Sequence, residues 1–136
     1  MIQEVKGDLF TSKDSLVHCV SKDLAMGKGI AKEFITRYGG RDVLKKQRIE
    51  VGSFGCLNIG NGRYVFCLVT KEKYFHKPTY QNLELSLIAL WKYCSTNKIT
   101  ALSLPRIGCG LDNLDWDKVK YILQKVFNGV QLTIYY

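Results

Sequence analysis

Two glycine-rich loops are the segments of this 136-residue chain best suited to hold a ligand. Residues 26–31 read Met-Gly-Lys-Gly-Ile-Ala, and residues 105–112 read Pro-Arg-Ile-Gly-Cys-Gly-Leu-Asp. Glycines let the backbone approach a ligand and point amide N–H groups at it, while the N-terminus of a following helix attracts an anion. Both loops follow an apolar run and precede helix-like sequence. They predict a site for a nucleotide diphosphate outside the carboxyl ends of the strands.

A lysine and an aspartate lie where they could do chemistry beside such a ligand. Lys71 follows the apolar run 64–70 and should emerge at the carboxyl end of a strand, and Asp112 leaves the second glycine loop. In its neutral form, which partial burial favours, an amine can form a Schiff base with an aldehyde-like carbon. An aspartate can act as general acid and base. The alternative is a solvated strand-end lysine and a loop or capping aspartate.

Hydrophobic periodicity and turn residues predict the elements that must position these groups. We expect strands at 2–6, 16–20, 54–59, 64–70, 101–104 and 132–135, and helices at 30–38, at 80–94 and after a cap at Asp115. Asn61-Gly62 predicts a hairpin between the third and fourth strands. Because helices separate most strands, the sequence predicts an α/β fold, a three-layer α/β/α sandwich with a central mixed sheet of about six strands.

The composition bounds the class of protein. A chain of 136 residues that is 46% hydrophobic suits one domain, residues 1–136, with no visible linker. The histidines and cysteines lack metal-ligand spacing, so we expect no metal and no cofactor. Five cysteines without a CxxC pair indicate buried reduced thiols, and the chain shows neither an apolar signal core nor a membrane-spanning stretch. We expect a monomer in the cytoplasm, or in the nucleus of a eukaryote, and no membrane partner.

The charge is strongly basic but scattered. Twenty lysines and arginines against twelve acidic residues give a formal net charge of +8, which favours polyanionic partners. The clearest cluster is Lys71, Lys73, His76 and Lys77, and the group at 45–48 is expected to be solvated surface. Charge alone does not establish nucleic-acid binding.

Five ordered segments, which span essentially the whole chain, resemble the macrodomain, a module that binds ADP-ribose. They are residues 7–10 (Gly-Asp-Leu-Phe), 18–21 (His-Cys-Val-Ser), the first glycine loop, Thr70-Lys71 with the nearby 76–80 (His-Lys-Pro-Thr-Tyr), and the second glycine loop. The second and fourth segments look like the branch of terminal ADP-ribose protein glycohydrolases, which also deacylate O-acyl-ADP-ribose. The resemblance implies the macrodomain fold.

The resemblance also implies where the ligand lies. The diphosphate is held by the backbone of both loops, Asp8 accepts the adenine amino group, Tyr135 lies beside the adenine, and Ser21 lies near the distal ribose. A β-carbon at Gly110 should then obstruct either the ligand or a positive φ angle. Asp8 as a turn cap and Tyr135 as a core or edge residue stay open as alternatives. The implied ligand-binding set is Asp8, Leu9, Ser21, Gly27, Gly29, Ile30, Ala31, Pro105, Ile107, Gly108, Cys109, Gly110, Leu111 and Tyr135.

The implied catalytic residues are Lys71, which attacks the anomeric carbon of the distal ribose, and Asp112, which handles protons and assists release of the acceptor. The expected enzyme removes terminal ADP-ribose from glutamate esters of proteins and deacylates O-acyl-ADP-ribose. Its partner is ADP-ribose or an ADP-ribosylated protein. The chain departs from the water-activating macrodomain hydrolases, because residues 17–23 contain no asparagine, and His18 is expected to be a packed strand histidine.

Two other functions stay open at this point. One is a non-catalytic reader of terminal ADP-ribose, since a fold alone does not imply activity. The other is a hydrolase acting on ADP-ribosylated DNA bases, in which Lys73, Lys77 and Arg106 would contact phosphates.

Overall fold

The computed structural model describes residues 1–136, and every predicted strand and helix is confirmed to within two residues. The elements are β1 (Ile2–Val5), a 3₁₀ helix (Leu9–Thr11), β2 (Ser15–Ser21), α1 (Gly29–Tyr38), α2 (Arg41–Lys46), β3 (Phe54–Gly60), β4 (Arg63–Lys71), α3 (Tyr80–Thr96), β5 (Ala101–Pro105), α4 (Trp116–Val126) and β6 (Gln131–Tyr135). Helix α2 was not predicted, because it has six residues and buries only Leu44. None of the helices is both long and apolar enough to cross a membrane.

The six strands form one mixed sheet in the order β1-β6-β5-β2-β4-β3. All pairings are parallel except β3 with β4, which are antiparallel as predicted. The hairpin turns at Asn61 and Gly62, whose φ angles of 55° and 72° are those that the Asn-Gly signal requires. The carboxyl ends of the five parallel strands therefore share one edge of the sheet.

Helices cover both faces of the sheet, which confirms the three layers. On β4, Phe66 and Leu68 face a core of 18 buried residues that includes the apolar sides of α3 and α4. Their neighbours Val65 and Cys67 point the other way, into a core of 12 buried residues with α1 and α2. This alternation follows from the two-residue period of a strand.

Polar caps set where the last two principal helices begin. The Thr79 side chain accepts a hydrogen bond from the Asn82 amide at the start of α3, and Asp115, as predicted, accepts one from the Asp117 amide at the start of α4. The Asp115 amide in turn donates to the Tyr80 hydroxyl at 2.9 Å. The start of α4 is thereby tied to α3.

Candidate functional site

The carboxyl ends of the parallel strands carry the predicted site residues in a row. Asp8 follows β1 and Tyr135 ends β6, the second glycine loop follows β5, the first follows β2, and Lys71 ends β4. In the sheet these strands stand in the order β1, β6, β5, β2, β4. A long ligand lying across this edge would meet Asp8 and Tyr135 at one end, the two loops in the middle and Lys71 at the other.

The first glycine loop leads directly into a helix whose N-terminus has no side-chain cap. Helix α1 begins at Gly29, with φ +61°, and Lys28 at the N-cap position makes no capping hydrogen bond through its side chain. The first-turn N–H groups are therefore available to an anion. The second loop lies opposite, since a β-carbon on Gly29 would stand 3.1 Å from Cδ1 of Leu111.

In the second glycine loop, the glycine with a positive φ is Gly108 and not Gly110. Gly108 has φ +72°, and a β-carbon there would lie 2.8 Å from Cδ1 of Leu114. Gly110 has no positive φ, and nothing lies within 4 Å of its β-carbon position. Of the two effects expected of a β-carbon at Gly110, interference with a positive φ is excluded, because Gly108 makes the turn, and obstruction of a ligand remains.

Lys71 and Asp112 are in direct contact. Lys71 Nζ donates to Asp112 Oδ1 at 2.6 Å, and the two side chains are only 13% and 17% exposed. The pairing of β2 with β4 slips by one residue after Val20, which sets Ser21 opposite Lys71. The alternative of a solvated strand-end lysine is therefore wrong. The two side chains form an ion pair, in which Asp112 is positioned to accept the proton that the Lys71 amine must lose before it can attack a carbon.

The neighbouring thiols are poor nucleophiles. Burial raises the pKa of Cys109 to about 11, and burial, with the Asp112 carboxylate adding to it, also raises the pKa of Cys19. Both thiols are therefore protonated at neutral pH. All five cysteines are free, but only Cys67 and Cys94 are fully buried, so the expectation of buried thiols holds for two of them. No group of three or more His, Cys, Asp or Glu could hold a metal ion.

His18 is a packed strand histidine, as expected. It is fully buried, and its ring stacks on that of Phe34 with centroids 3.9 Å apart. Burial lowers the pKa of His18 to about 3. The imidazole is therefore neutral at physiological pH and is packed in the core against α1.

Asp23 ties three parts of the site together and was missed by sequence reasoning. Its carboxylate accepts hydrogen bonds from the Ser21 hydroxyl at 2.5 Å, the Ala25 amide at 3.3 Å and the Tyr74 amide at 3.1 Å. Desolvation acts to raise the pKa of Asp23, but these hydrogen bonds outweigh it and hold the pKa below its ordinary value. Ser21 is thereby fixed beside Lys71, and no local sequence signal marks this role.

Arg41 shapes the chain that enters the first glycine loop, and it too was missed. Its Nη2 donates to the Ala25 carbonyl at 2.8 Å. The flanking residues Leu24 and Met26 are buried and have φ angles of 54° and 49°, a region that costs a non-glycine residue about 1–2 kcal/mol. The guanidinium therefore supports a strained backbone directly before the loop, and its Nε is buried without a partner.

At the far end of the row, Asp8 and Tyr135 lie close together. Asp8 Oδ1 accepts from the Phe10 amide at 2.9 Å and caps the 3₁₀ helix, so the turn-cap alternative is observed, while Oδ2 has no protein partner. The Tyr135 ring is beside Gly7, where a β-carbon would be 3.8 Å from Cδ2. A surface depression of about 470 Å³ joins Tyr135 to Cys109 and Gly110 of the second loop.

The remaining predicted residues fall into two groups. Leu9 and Ile107 are buried in the core, so only their backbone could meet a ligand. Gly27 is exposed, and Ile30, Ala31 and Pro105 are half-buried around the two loops.

Another cavity of about 480 Å³ lies at the amino ends of the strands, beside Asp14 and Arg63. The Arg63 guanidinium there donates three hydrogen bonds to the carbonyls of Ser12 and Asp14.

Two glycine loops at the carboxyl ends of a parallel sheet are typical of the nucleotide-binding class of α/β proteins. The Macro domain family model matches residues 17–123, and the chain belongs to that family. The Bos taurus protein named ADP-ribose glycohydrolase OARD1 is 46% identical over 138 residues, which cover 98% of this chain and 90% of that protein.

Two further relatives are more distant. The Mycobacterium tuberculosis protein named DNA ADP-ribosyl glycohydrolase is 26% identical over 136 residues, which cover 93% of this chain and 39% of that longer protein. The solved macrodomain of Thermus aquaticus DarG superimposes with a TM-score of 0.88 at 24% identity, over 100% of this chain and 98% of that one. The structural similarity to the DarG macrodomain establishes the macrodomain fold.

Proposed function

We propose that this protein removes terminal ADP-ribose from glutamate esters of proteins, and deacylates O-acyl-ADP-ribose, with Lys71 as the nucleophile. The coarser activity, hydrolysis of an ADP-ribose adduct, follows from the 46% identity over nearly the whole chain to a named ADP-ribose glycohydrolase. The single observation that carries the finer proposal is the 2.6 Å contact of the largely buried Lys71 and Asp112 at the end of the row. A non-catalytic reader would need neither group.

The chemistry follows from the proton that the pair shares. Asp112 takes the proton from the Lys71 ammonium, and the freed Nζ lone pair forms a bond to the anomeric carbon of the distal ribose. The bond from that carbon to the acceptor oxygen breaks, and the acceptor leaves as a carboxylate. The bonded nitrogen gives up one of its two remaining protons to solvent, and its lone pair then opens the ribose ring to a Schiff base while the proton on Asp112 passes to the ring oxygen. Water then hydrolyses the Schiff base, which frees ADP-ribose and restores the amine.

Substitution of Lys71 tests this mechanism. Lys71→Ala should abolish release of free ADP-ribose from a glutamate-modified polypeptide yet leave ADP-ribose affinity within about tenfold, because the loops supply most ground-state contacts. Lys71→Arg keeps a cation beside Asp112 but lacks an amine, so it should be equally inactive. Borohydride should trap a covalent adduct on the unaltered protein and on the control Lys92→Ala, an exposed lysine of α3. Normal turnover by Lys71→Arg would refute a lysine nucleophile.

A second candidate is the removal of ADP-ribose from DNA bases, which the distant mycobacterial relative supports. The lysines next to the catalytic pair are partly engaged, however, since Lys77 Nζ donates to the Leu111 carbonyl at 2.9 Å. Arg106 belongs to the other end of the row, where it pairs with Glu4 at 3.2 Å. If DNA is the acceptor, turnover should fall steeply between about 50 and 200 mM salt. Turnover on modified glutamate but none on modified DNA at low salt would eliminate this candidate.

We also propose that the protein works as a monomer in the cytoplasm or, in a eukaryote, the nucleus. The compartment is supported by the five free cysteines, because thiols persist in reducing compartments. Sedimentation of the purified protein and imaging of a tagged form in cells would test the two statements separately.

A further inference from the structure

The segment 72–77, which we name the strap, crosses beside the catalytic pair and is held at both ends. It begins one residue after Lys71. The Tyr74 amide donates to Asp23 Oδ2 at 3.1 Å, which joins the strap to the chain before the first glycine loop. Lys77 Nζ donates to the Leu111 carbonyl at 2.9 Å, which joins it to the second. A group bonded to a sugar held at Lys71 and Asp112 would therefore lie next to this segment.

The strap carries two aromatic side chains that are largely exposed to solvent. Tyr74 is 60% exposed and Phe75 is 67% exposed. The two rings meet edge to face with centroids 5.3 Å apart, and Phe75 meets the His76 ring in the same way at 4.8 Å. The segment also has an internal turn, closed by the His76 amide on the Lys73 carbonyl at 3.0 Å. The apolar surface is therefore already held in place before an acceptor arrives.

The charges around the strap are balanced, although the whole chain carries +8. The positive side chains within or bonded to this region are Lys71, Lys73 and Lys77, and the negative ones are Asp23, Glu72 and Asp112. The neighbouring Lys22 is paired with Glu50 at 2.8 Å. A polyanion gains most from a surface with a large positive excess, and this one has none. A neutral, apolar segment of polypeptide fits it better than a nucleic acid.

We infer that the strap is a docking surface for the acceptor polypeptide, with Tyr74 and Phe75 contacting apolar side chains next to the modified glutamate. This inference rests on the proposed function and adds the determinant that distinguishes a protein acceptor from a small ester. Exposed aromatic residues at the centre of an interface commonly supply most of its affinity. Free ADP-ribose has no acceptor and O-acyl-ADP-ribose carries only a small acyl group, so neither offers apolar side chains to the strap.

The test compares two esters, with ADP-ribosylated DNA as a third substrate, on three proteins: the unaltered chain, Tyr74→Ser/Phe75→Ser, and the control Tyr121→Ser. Tyr121 is 64% exposed on α4, outside the site, so the control removes one exposed aromatic ring away from the strap. With a polypeptide mono-ADP-ribosylated on glutamate, kcat/KM of the strap variant should fall about tenfold or more, chiefly through KM. Turnover of O-acyl-ADP-ribose and affinity for ADP-ribose should change less than about twofold. The control should match the unaltered chain on both substrates.

Four other outcomes would each overturn the inference, and each points to a different reason. Unchanged turnover of the polypeptide by the strap variant would show that the rings contact no acceptor. An equal loss on both substrates would mean that the strap supports the catalytic pair, and a loss confined to ADP-ribosylated DNA would assign the surface to nucleic acid. No turnover of either ester by the unaltered protein would contradict the proposed function itself, and the docking surface would fall with it.

Discussion

Gly110→Glu separates ligand binding from folding, because the structure leaves open space at this position. The residue has no positive φ, and nothing lies within 4 Å of the site of a β-carbon. A side chain can therefore project from the loop without strain. We expect the free energy of unfolding to change by less than about 0.5 kcal/mol, which corresponds to about 2 °C in Tm for a domain of this size.

The effect on binding should be much larger if the second glycine loop holds a diphosphate. A carboxylate about 6 Å from a phosphate charge is repelled by about 3 kcal/mol at an effective dielectric constant of about 20. A loss of about 3 kcal/mol weakens Kd more than a hundredfold. The second phosphate charge adds to this repulsion, whereas salt reduces it.

Calorimetric titration with ADP-ribose, alongside a thermal melt, measures both quantities. Gly110→Gln adds the same bulk without charge, so the difference between the two variants isolates the electrostatic part. Gly108→Ala should behave in the opposite way and lower Tm, because its φ is +72° and its β-carbon would lie 2.8 Å from Leu114 Cδ1. Gly110→Glu binding ADP-ribose with unaltered affinity would refute the assignment of this loop to the diphosphate.

Two further predictions concern the core and the first glycine loop. Burial lowers the pKa of His18 to about 3, so between pH 6.5 and 3 the unfolded chain binds more protons than the native one. The free energy of unfolding should therefore fall by up to about 1.4 kcal/mol per pH unit as the pH drops through that window. Between pH 7 and pH 4.5 the free energy of urea unfolding should fall less for His18→Leu than for the unaltered chain. An equal fall for both proteins would contradict the buried neutral imidazole. Arg41→Met removes the donor to the Ala25 carbonyl, so Kd for ADP-ribose should rise about tenfold while kcat is retained, with partial rescue in Arg41→Lys. A fall in kcat at unchanged Kd would show that Arg41 does not position the loop.

Most of the fold could be predicted because its signals are local. The apolar run 64–70 marks a strand, Asn61-Gly62 marks a hairpin, and Asp115 marks the start of a helix. Each of these depends on hydrogen bonds or side-chain directions within a few residues. The exception is α2, which is too short for its periodicity to be distinguished from a loop.

The sequence by itself determined which residue types stand at the carboxyl ends of the strands, since loop composition follows directly from strand boundaries. The tertiary structure alone decided their contacts, because the Lys71–Asp112 pair spans 41 residues and the Asp23–Tyr74 bond spans 51. These contacts depend on strand order and on a one-residue slip between β2 and β4, neither of which leaves a local pattern. The left-handed backbone at Leu24 was likewise decided by the tertiary structure. Packing and the neighbouring Arg41 hydrogen bond impose a conformation that a leucine disfavours.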